Sequence, residues 1–155
     1  MIMDTRAQFA DAVSIAAAAG TALIGSQYDL GQTTPYTDVD DLYLVIMVST
    51  AIITGGSAGK VRFQLASDST AAIAVDGSAT VHYQTGDFVT GATPIAVGSV
   101  LAVIELPKGN GVLPAYERYL GILCVTTTTT TTTGAIRAFL TPDGGRWAAL
   151  PQAVN

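Results

Sequence analysis

Eight consecutive threonines, residues 126–133, restrict the folds open to this chain of 155 residues more than any other feature. They lie between two apolar stretches, residues 119–125 and 135–140. Threonine is β-branched, so a run of it favours extended backbone over helix, and each hydroxyl can bond to backbone or water without adding charge. The tract therefore predicts the extended tip of a hairpin whose two legs enter a β core.

The chain carries few charges, and those few are dispersed. Charged residues make up 12% of the sequence and hydrophobic residues 49%, with a net charge of -5. Soluble domains typically have about a quarter of their residues charged, so this surface is suited to being covered by other protein. We expect a homo-oligomer, a trimer or a dimer. The seven basic residues form no cluster, so neither nucleic acid nor an anionic membrane is an expected partner.

The periodicity of the apolar residues is that of strands. Residues 60–65 alternate strictly, which predicts a strand with Val61, Phe63 and Leu65 facing the core. The continuous apolar run 42–48 predicts a strand covered on both faces, joined to the first by a hairpin. Similar runs between glycine-rich turns give seven or eight strands. The sequence predicts an all-β protein, a jelly-roll β-sandwich first and an up-and-down barrel second.

The first 20 residues differ from the rest. They are rich in alanine and are the one candidate helix, but their apolar periodicity is weak. We interpret residues 1–20 as an N-terminal arm that packs against another surface, followed by a single domain over residues 21–155. The apolar residues of the arm are candidate contacts: Met1, Ile2, Met3, Phe9 and Val13.

Two sequence features resemble functional sites but are better explained by structure. The glycine-rich stretch 54–60 has Thr54 where a phosphate-binding loop needs glycine, and Val61 where it needs serine or threonine. It leads into a strand, so we interpret it as a turn. Cys124, the single cysteine, lies in an apolar run and is expected to be a small buried hydrophobic residue.

His82 is the only histidine of the chain. One histidine cannot supply the several nitrogen ligands of a typical zinc site. We expect it on the polar face of a strand, with Thr80 and Gln84. A Ser–His–Asp arrangement assembled from distant residues stays open at this point, because such triads form only in space.

The carboxylates do not form a site in the sequence. The acidic stretch 38–41 lacks the spacing and closing glutamate of a calcium loop. Nothing places Glu105 and Glu117 together as the carboxylate pair of a glycosidase. Glu105 lies in an apolar strand, where we expect Arg118 or Arg137 to neutralise it. The sequence thus predicts a protein that is not an enzyme, with no catalytic residue, metal or cofactor.

Several segments resemble a known family when taken in order. Residues 1–12 read Met-Ile-Met-Asp, then Gln-Phe-Ala-Asp; residues 42–45 read Leu-Tyr-Leu-Val; residues 118–122 and 134–141 flank the threonine tract. They are similar to the Bordetella-phage-type capsid cement proteins, which open with a related segment, contain a Leu-Tyr-Leu-Val strand and close with a comparable hairpin. The likeness touches the beginning, middle and end of the chain.

The resemblance implies a role in a virion. It implies a jelly-roll protein on the outer surface of a tailed-phage head, made in the bacterial host cytoplasm, which ties neighbouring subunits of the major capsid protein together. The tip from Thr126 to Thr133 is then a second candidate contact. The chain departs from the family in its longer middle, residues 67–99, and in its tail, where Trp147 is a further candidate contact.

A second function also fits the sequence. A carbohydrate-binding or host-attachment jelly roll on the virion would need an exposed aromatic cluster near a loop end. Trp147, Tyr116 and Tyr119 are the candidates for such a cluster.

Overall fold

The computed structural model describes residues 7–31, 42–56, 58–90, 93–108 and 114–148. Within these ranges the elements, in chain order, are β1 Gln8–Ser14, β2 Gly20–Asp29, β3 Tyr43–Thr54, β4 Lys60–Asp68, β5 Thr80–Gln84, β6 Phe88–Val89, β7 Val100–Glu105, β8 Tyr119–Thr127, β9 Thr131–Thr141 and α1 Gly144–Ala148. None of the described helical segments has the length and hydropathy needed to cross a membrane.

The strands form two antiparallel sheets that pack against each other. The first sheet has the order β1-β9-β3-β7, and the second has the order β2-β8-β4-β5, with β6 also paired to β4. The described part of the chain is therefore all-β and has the layers of a β-sandwich, as the sequence predicts.

The core lies between the two sheets and follows the alternation of the sequence. Val61, Phe63 and Leu65 are all fully buried, which confirms the prediction for this strand. In the apolar run 42–48, predicted to be covered on both faces, Leu44, Val45, Ile46 and Val48 are buried, whereas Leu42, Tyr43 and Met47 are half-buried. Val45 points away from the core cluster yet is 0% exposed, because the outer face of the first sheet is covered as well.

Two predicted hairpins are wrong. β3 lies in the first sheet and β4 in the second, and β8 and β9 are likewise divided between the sheets. Each pair of strands is joined by a connection that crosses the core layer. Alternation shows which face of a strand is buried, but it does not show with which strand the backbone pairs.

The N-terminal segment is part of the sandwich. Residues 8–14, predicted as an arm and as the one candidate helix, form β1 and pair with β9. Phe9 is 2% exposed and belongs to the core cluster. The arm is thus not confirmed over these residues, because pairing with β9 outweighs the helix propensity of alanine. Residues 1–6 lie outside the described ranges.

Gly25 permits the first two strands to approach each other closely. It lies where the register of β2 on β8 shifts, between Ile24 and Tyr28, and its φ of +71° is in the left-handed region. A Cβ atom built on Gly25 would overlap the carbonyl oxygen of Phe9, which belongs to the other sheet. Gly31 has the same φ but open space around its Cα.

Alanine substitutions at Gly25 and Gly31 distinguish the cost of backbone strain from the cost of steric overlap. We expect Gly31→Ala to lower the free energy of unfolding by about 1 kcal/mol, the cost of a left-handed alanine. Gly25→Ala should cost at least about 2 kcal/mol more, because the backbone of Phe9 must move. Urea unfolding of both variants measures the difference. Equal losses would show that β1 and β2 are not in contact at Gly25.

Candidate functional site

One end of the sandwich is formed by connections that cross between the sheets. Residues 15–19 join β1 to β2, residues 55–59 join β3 to β4, and residues 128–130 join β8 to β9. The strands meet there in register, since Thr126 pairs with Gly20 and Val61. Residues 93–99, which precede β7, bond to β3 near the same end. We call these four segments together the threonine end.

Threonines of the tract bond the two sheets to each other at this end. Thr126 and Thr131, on β8 and β9, are both buried, and their hydroxyl oxygens are 3.3 Å apart. The Thr132 hydroxyl donates to the Ile53 carbonyl oxygen at 3.1 Å. The Gly55 N–H donates to the Thr130 carbonyl oxygen at 2.8 Å. The tract thus supplies hydrogen bonds where the regular strand pairing ends.

A second group of threonines is buried behind the tract. The Thr90 hydroxyl donates to Thr54 Oγ1 at 2.8 Å, and both residues are buried. Thr129 Oγ1 is covered and has no hydrogen-bond partner in the described part of the chain. Gly59 lies against Thr54 and Thr129 so closely that a Cβ atom would overlap them. The connections 55–59 and 128–130 therefore pack closely on each other, whereas a cavity of about 300 Å³ lies along residues 15–19, beside Thr126.

The four segments of the threonine end contain no Asp, Glu, Lys or Arg. The nearest charged side chains are the ion pair Lys60–Asp87, next to Val89. Thr130 and Thr133 are exposed at this end. Three of the six exposed large hydrophobic residues described lie at or beside it: Ile53, Val89 and Val97. The segments thus present methyl and hydroxyl groups, which cost less to desolvate than ions.

Charged residues lie near both ends of the described sandwich. Lys60, which pairs with Thr127, contacts the Asp87 carboxylate at 3.6 Å beside the threonine end. At the other end of β4, Asp68 pairs with Tyr119. The acidic stretch 38–41 of the sequence lies outside the described ranges.

The predicted contact residues do not come together. Phe9 is buried in the core and Val13 packs against it, so neither offers a free surface as an arm residue would. Met1, Ile2 and Met3 lie outside the described ranges. β1 begins at Gln8, which pairs with Phe139, and so residue 8 lies toward the opposite end from Thr126 and Thr133.

Trp147 packs on the protein itself. Its ring meets Phe139 edge-on at 5.1 Å between centroids, on the outer face of the first sheet. Its indole Nε1 is covered and unpartnered within the described residues. The helix α1, which carries it, also packs on Tyr43 through Gly144. Trp147 is therefore held against the sheet instead of standing free.

The aromatic cluster required for carbohydrate binding is not formed by Tyr116. This residue is 0% exposed, and its hydroxyl donates to the Pro107 carbonyl oxygen at 2.6 Å. Its ring stacks on His82 with centroids 3.9 Å apart. Burial raises the pKa of the Tyr116 hydroxyl well above its usual value.

His82 is turned inward by a bulge that the sequence did not reveal. Leu65 pairs with Tyr83 and Ala66 with Val81, which leaves His82 as the extra residue of β5. Its Nε2 lies 2.7 Å from the Ser67 hydroxyl oxygen. The prediction of a polar strand face shared with Thr80 and Gln84 is thus wrong for His82.

The Ser67–His82 contact has the distance of a catalytic pair but not its accessibility. Ser67 is 0% exposed, and its hydroxyl oxygen already accepts the Glu117 N–H at 3.1 Å. A nucleophile must reach its substrate, and this hydroxyl cannot. Burial lowers the pKa of His82 from 6.5 to about 4, so the ring is neutral at pH 7, and its tautomer sets which of Nε2 and the Ser67 hydroxyl donates. The arrangement is a structural hydrogen-bond network.

The other charged residues considered in the sequence either pair with a neighbouring side chain or are exposed. Arg118 and Arg137 pair with Asp29 and Asp11, each at 2.9 Å, and not with Glu105 as expected. Glu105 is exposed, so it needs no neutralising partner. Among the described residues no group of three His, Cys, Asp or Glu side chains could hold a metal ion.

Cys124 is buried and free, as predicted. Burial raises the pKa of its thiol from 9.0 to about 11, so it stays protonated and unreactive at neutral pH.

Comparison with known proteins yields no family assignment. No family model matches the chain, and the curated proteins include no match to it.

The His82 network predicts how stability depends on pH. The pKa of His82 is about 4 in the folded protein, whereas an exposed histidine of the unfolded chain has a pKa of 6.5. Between these two pH values the unfolded chain therefore binds a proton on His82 that the folded protein does not bind. The free energy of unfolding should therefore fall as pH is lowered from 6.5 toward about 4. Urea unfolding across this window measures the slope.

The matched control is His82→Gln, which keeps a hydrogen-bonding side chain but cannot titrate. We expect its unfolding free energy to change less over the same window. An identical slope in both proteins would show that His82 does not lose its proton affinity on folding.

Proposed function

We propose that this protein is a capsid cement protein, which binds the outer surface of a phage head as a homo-oligomer and ties major capsid protein subunits together. The observation that carries the proposal is the threonine end, where four connecting segments without a charged residue expose threonines and valines at one end of a sandwich. The family resemblance of the ordered sequence segments supports the same function.

The strand order supports a jelly roll as the finer description of the fold. If β5 and β6 count as one interrupted strand, eight strands remain, and each pairs with its counterpart from the other end of the chain. The pairs are β1 with β9, β2 with β8, β3 with β7, and β4 with β5. A long hairpin rolled up into two sheets has this pattern, and it is common in viral capsid proteins.

The physical demands of cementing agree with the threonine end. A cement protein binds in many copies, so modest contacts at each site add up to a strong clamp on the shell. Burying an uncharged surface against the shell avoids the cost of desolvating ions. The net charge of -5 opposes nonspecific binding of DNA.

The N-terminal residues take a different part in this arrangement. β1 begins at Gln8, toward the end of the sandwich opposite the threonine end. We assign the threonine end to the shell, and Met1, Ile2 and Met3 to a neighbouring copy of the chain.

Added charge at the threonine end tests the assignment to the shell. Thr130→Lys with Thr133→Lys places two cations on the surface to be buried, and both positions are exposed, so the fold should persist. We expect affinity for purified heads of the virus that encodes this chain to fall at least about tenfold, since buried unpaired charges cost more than 1.4 kcal/mol. Copies per head, counted by cryo-electron microscopy at varied protein concentration, give the affinity.

The control for this experiment adds the same charge elsewhere. Ser69→Lys with Ala72→Lys alters exposed positions beyond the far end of β4. This variant should bind heads like the unaltered protein. If the unaltered protein does not decorate heads, the cement proposal is wrong; if both variants bind equally, the threonine end is not the contact.

A short deletion tests the assignment of the N-terminal residues. Removing residues 1–6 leaves β1 and the buried Phe9 in place. We expect the truncated protein to fold and to sediment as a smaller species than the full chain at the same concentration. Unchanged sedimentation would assign the contact between copies to another surface. The deletion stops before residue 8 because the loss of β1 would expose the core.

A further inference from the structure

A groove lies on the outer face of the second sheet, and its Thr21–Val125 side adjoins the threonine end. Its floor is formed by Leu123 and Val125 of β8, both nearly buried, and one wall by the connection between β4 and β5. The groove has a volume of about 270 Å³. We call it the valine groove, because Val75 and Val81 line it and are 47% and 40% exposed.

The wall that carries Val75 is held by hydrogen bonds on both sides. The Asp68 carboxylate accepts the N–H groups of Thr70 and Ala74, each at 3.0 Å. The Asp76 carboxylate accepts the N–H and the hydroxyl of Ser78. These bonds lower the pKa of both carboxylates, so both stay ionised and keep their hydrogen bonds at neutral pH. An exposed valine is therefore displayed on a fixed loop.

Arg62 is the only charged residue among those described that line the groove. Its guanidinium lies 3.8 Å from the Asp87 carboxylate, which Lys60 shares at 3.6 Å. By contrast, Arg118 and Arg137 contact their carboxylates at 2.9 Å. Close ionic hydrogen bonds of arginine are about 2.7–2.9 Å long, so Arg62 retains unused bonding capacity.

We propose that the valine groove is the docking site for a segment of another protein that presents an apolar side chain next to a carboxylate. The apolar floor takes the side chain, and the Arg62 guanidinium takes the carboxylate. A free small carboxylate would leave Val75 and Val81 in water, whereas a polypeptide segment covers both. The charge of the groove and the two exposed valines thus point to the same kind of ligand.

A second copy of this chain packed groove against groove is a poorer occupant. Such a contact about a two-fold axis would bring the two Arg62 side chains together. No described residue that lines the groove supplies a carboxylate to separate them. The proposal is independent of the capsid function, because the groove is on a sheet face and the head contact was assigned to the threonine end.

The test uses two peptide probes that differ in one charge: acetyl-Leu-Glu-Val-amide and its glutamine analogue. Each is titrated into the ¹⁵N-labelled full chain, and amide chemical shifts are followed. We expect saturable shifts around the groove, at Val75, Gly77, Val81 and Leu123. The glutamate peptide should bind about tenfold more tightly, as expected for a hydrogen bond between charged groups.

Two arginine variants identify the group responsible. Arg62→Gln should abolish the preference for the glutamate peptide, so that both peptides bind with the same weakened affinity. Arg137→Gln removes an arginine on the other sheet, paired with Asp11, and should leave the preference unchanged. Dispersed amide spectra of both variants verify that they fold.

Val81→Ser tests the apolar half of the site. It should weaken both peptides several-fold and keep the preference for glutamate, because the exposed valine contributes contact area without charge. The proposal is overturned by the absence of saturable shifts, by equal binding of the two peptides to the unaltered chain, or by a preference that survives Arg62→Gln. A dimer that protects these amides without peptide would also overturn it.

Discussion

The layer of side chains between the two sheets is the interaction on which the rest of the structure depends. Phe63 and Ile122 from one sheet and Leu44 and Ile136 from the other are all fully buried in a single cluster. Neither sheet could keep its inner face dry alone, so the sheets form together. Six of the connections between consecutive strands, including the one that contains the threonine tract, pass from one sheet to the other.

At the threonine end, the connections between the two sheets are stabilised by hydroxyl and methyl groups, without ionic groups. A chain that leaves one sheet for the other gives up its regular backbone partners, and those polar groups need replacements. Threonine supplies a hydroxyl for this purpose and a methyl group that packs like part of the core. Thr126 and Thr131 do both, since they are buried and adjacent. The same composition leaves an outer surface that protein can cover at little cost.

The few charges are used for local bonds on the faces and at the far end. Asp29 and Asp11 hold arginines across neighbouring strands, and Asp68 shapes a loop. Exposed pairs of this kind add little stability, so they chiefly fix geometry. Arg62 departs from this pattern because its contact is long and its groove is otherwise uncharged. The molecule thus has two distinct surfaces suited to partners, one uncharged and one with a single cation.

The sequence by itself determined the all-β class and, in the strictly alternating strand β4, which side chains face inward. Strict alternation placed Val61, Phe63 and Leu65 correctly, and the threonine tract correctly marked a chain reversal. Glycine-rich stretches likewise marked most of the turns. These features depend on local backbone preference and on the period of two, which any stretch of sequence carries within itself.

Only the tertiary structure decided which strands pair and what the polar residues do. The alternation of β3 and β4 is the same whether they form a hairpin or lie in different sheets. The alanine-rich start became a strand because β9 offered it a free edge. The inward turn of His82 arises from one extra residue opposite β4, and the valine groove arises where a distant loop meets β8. Each of these outcomes depends on contacts between residues far apart in the chain, and local sequence carries no record of them.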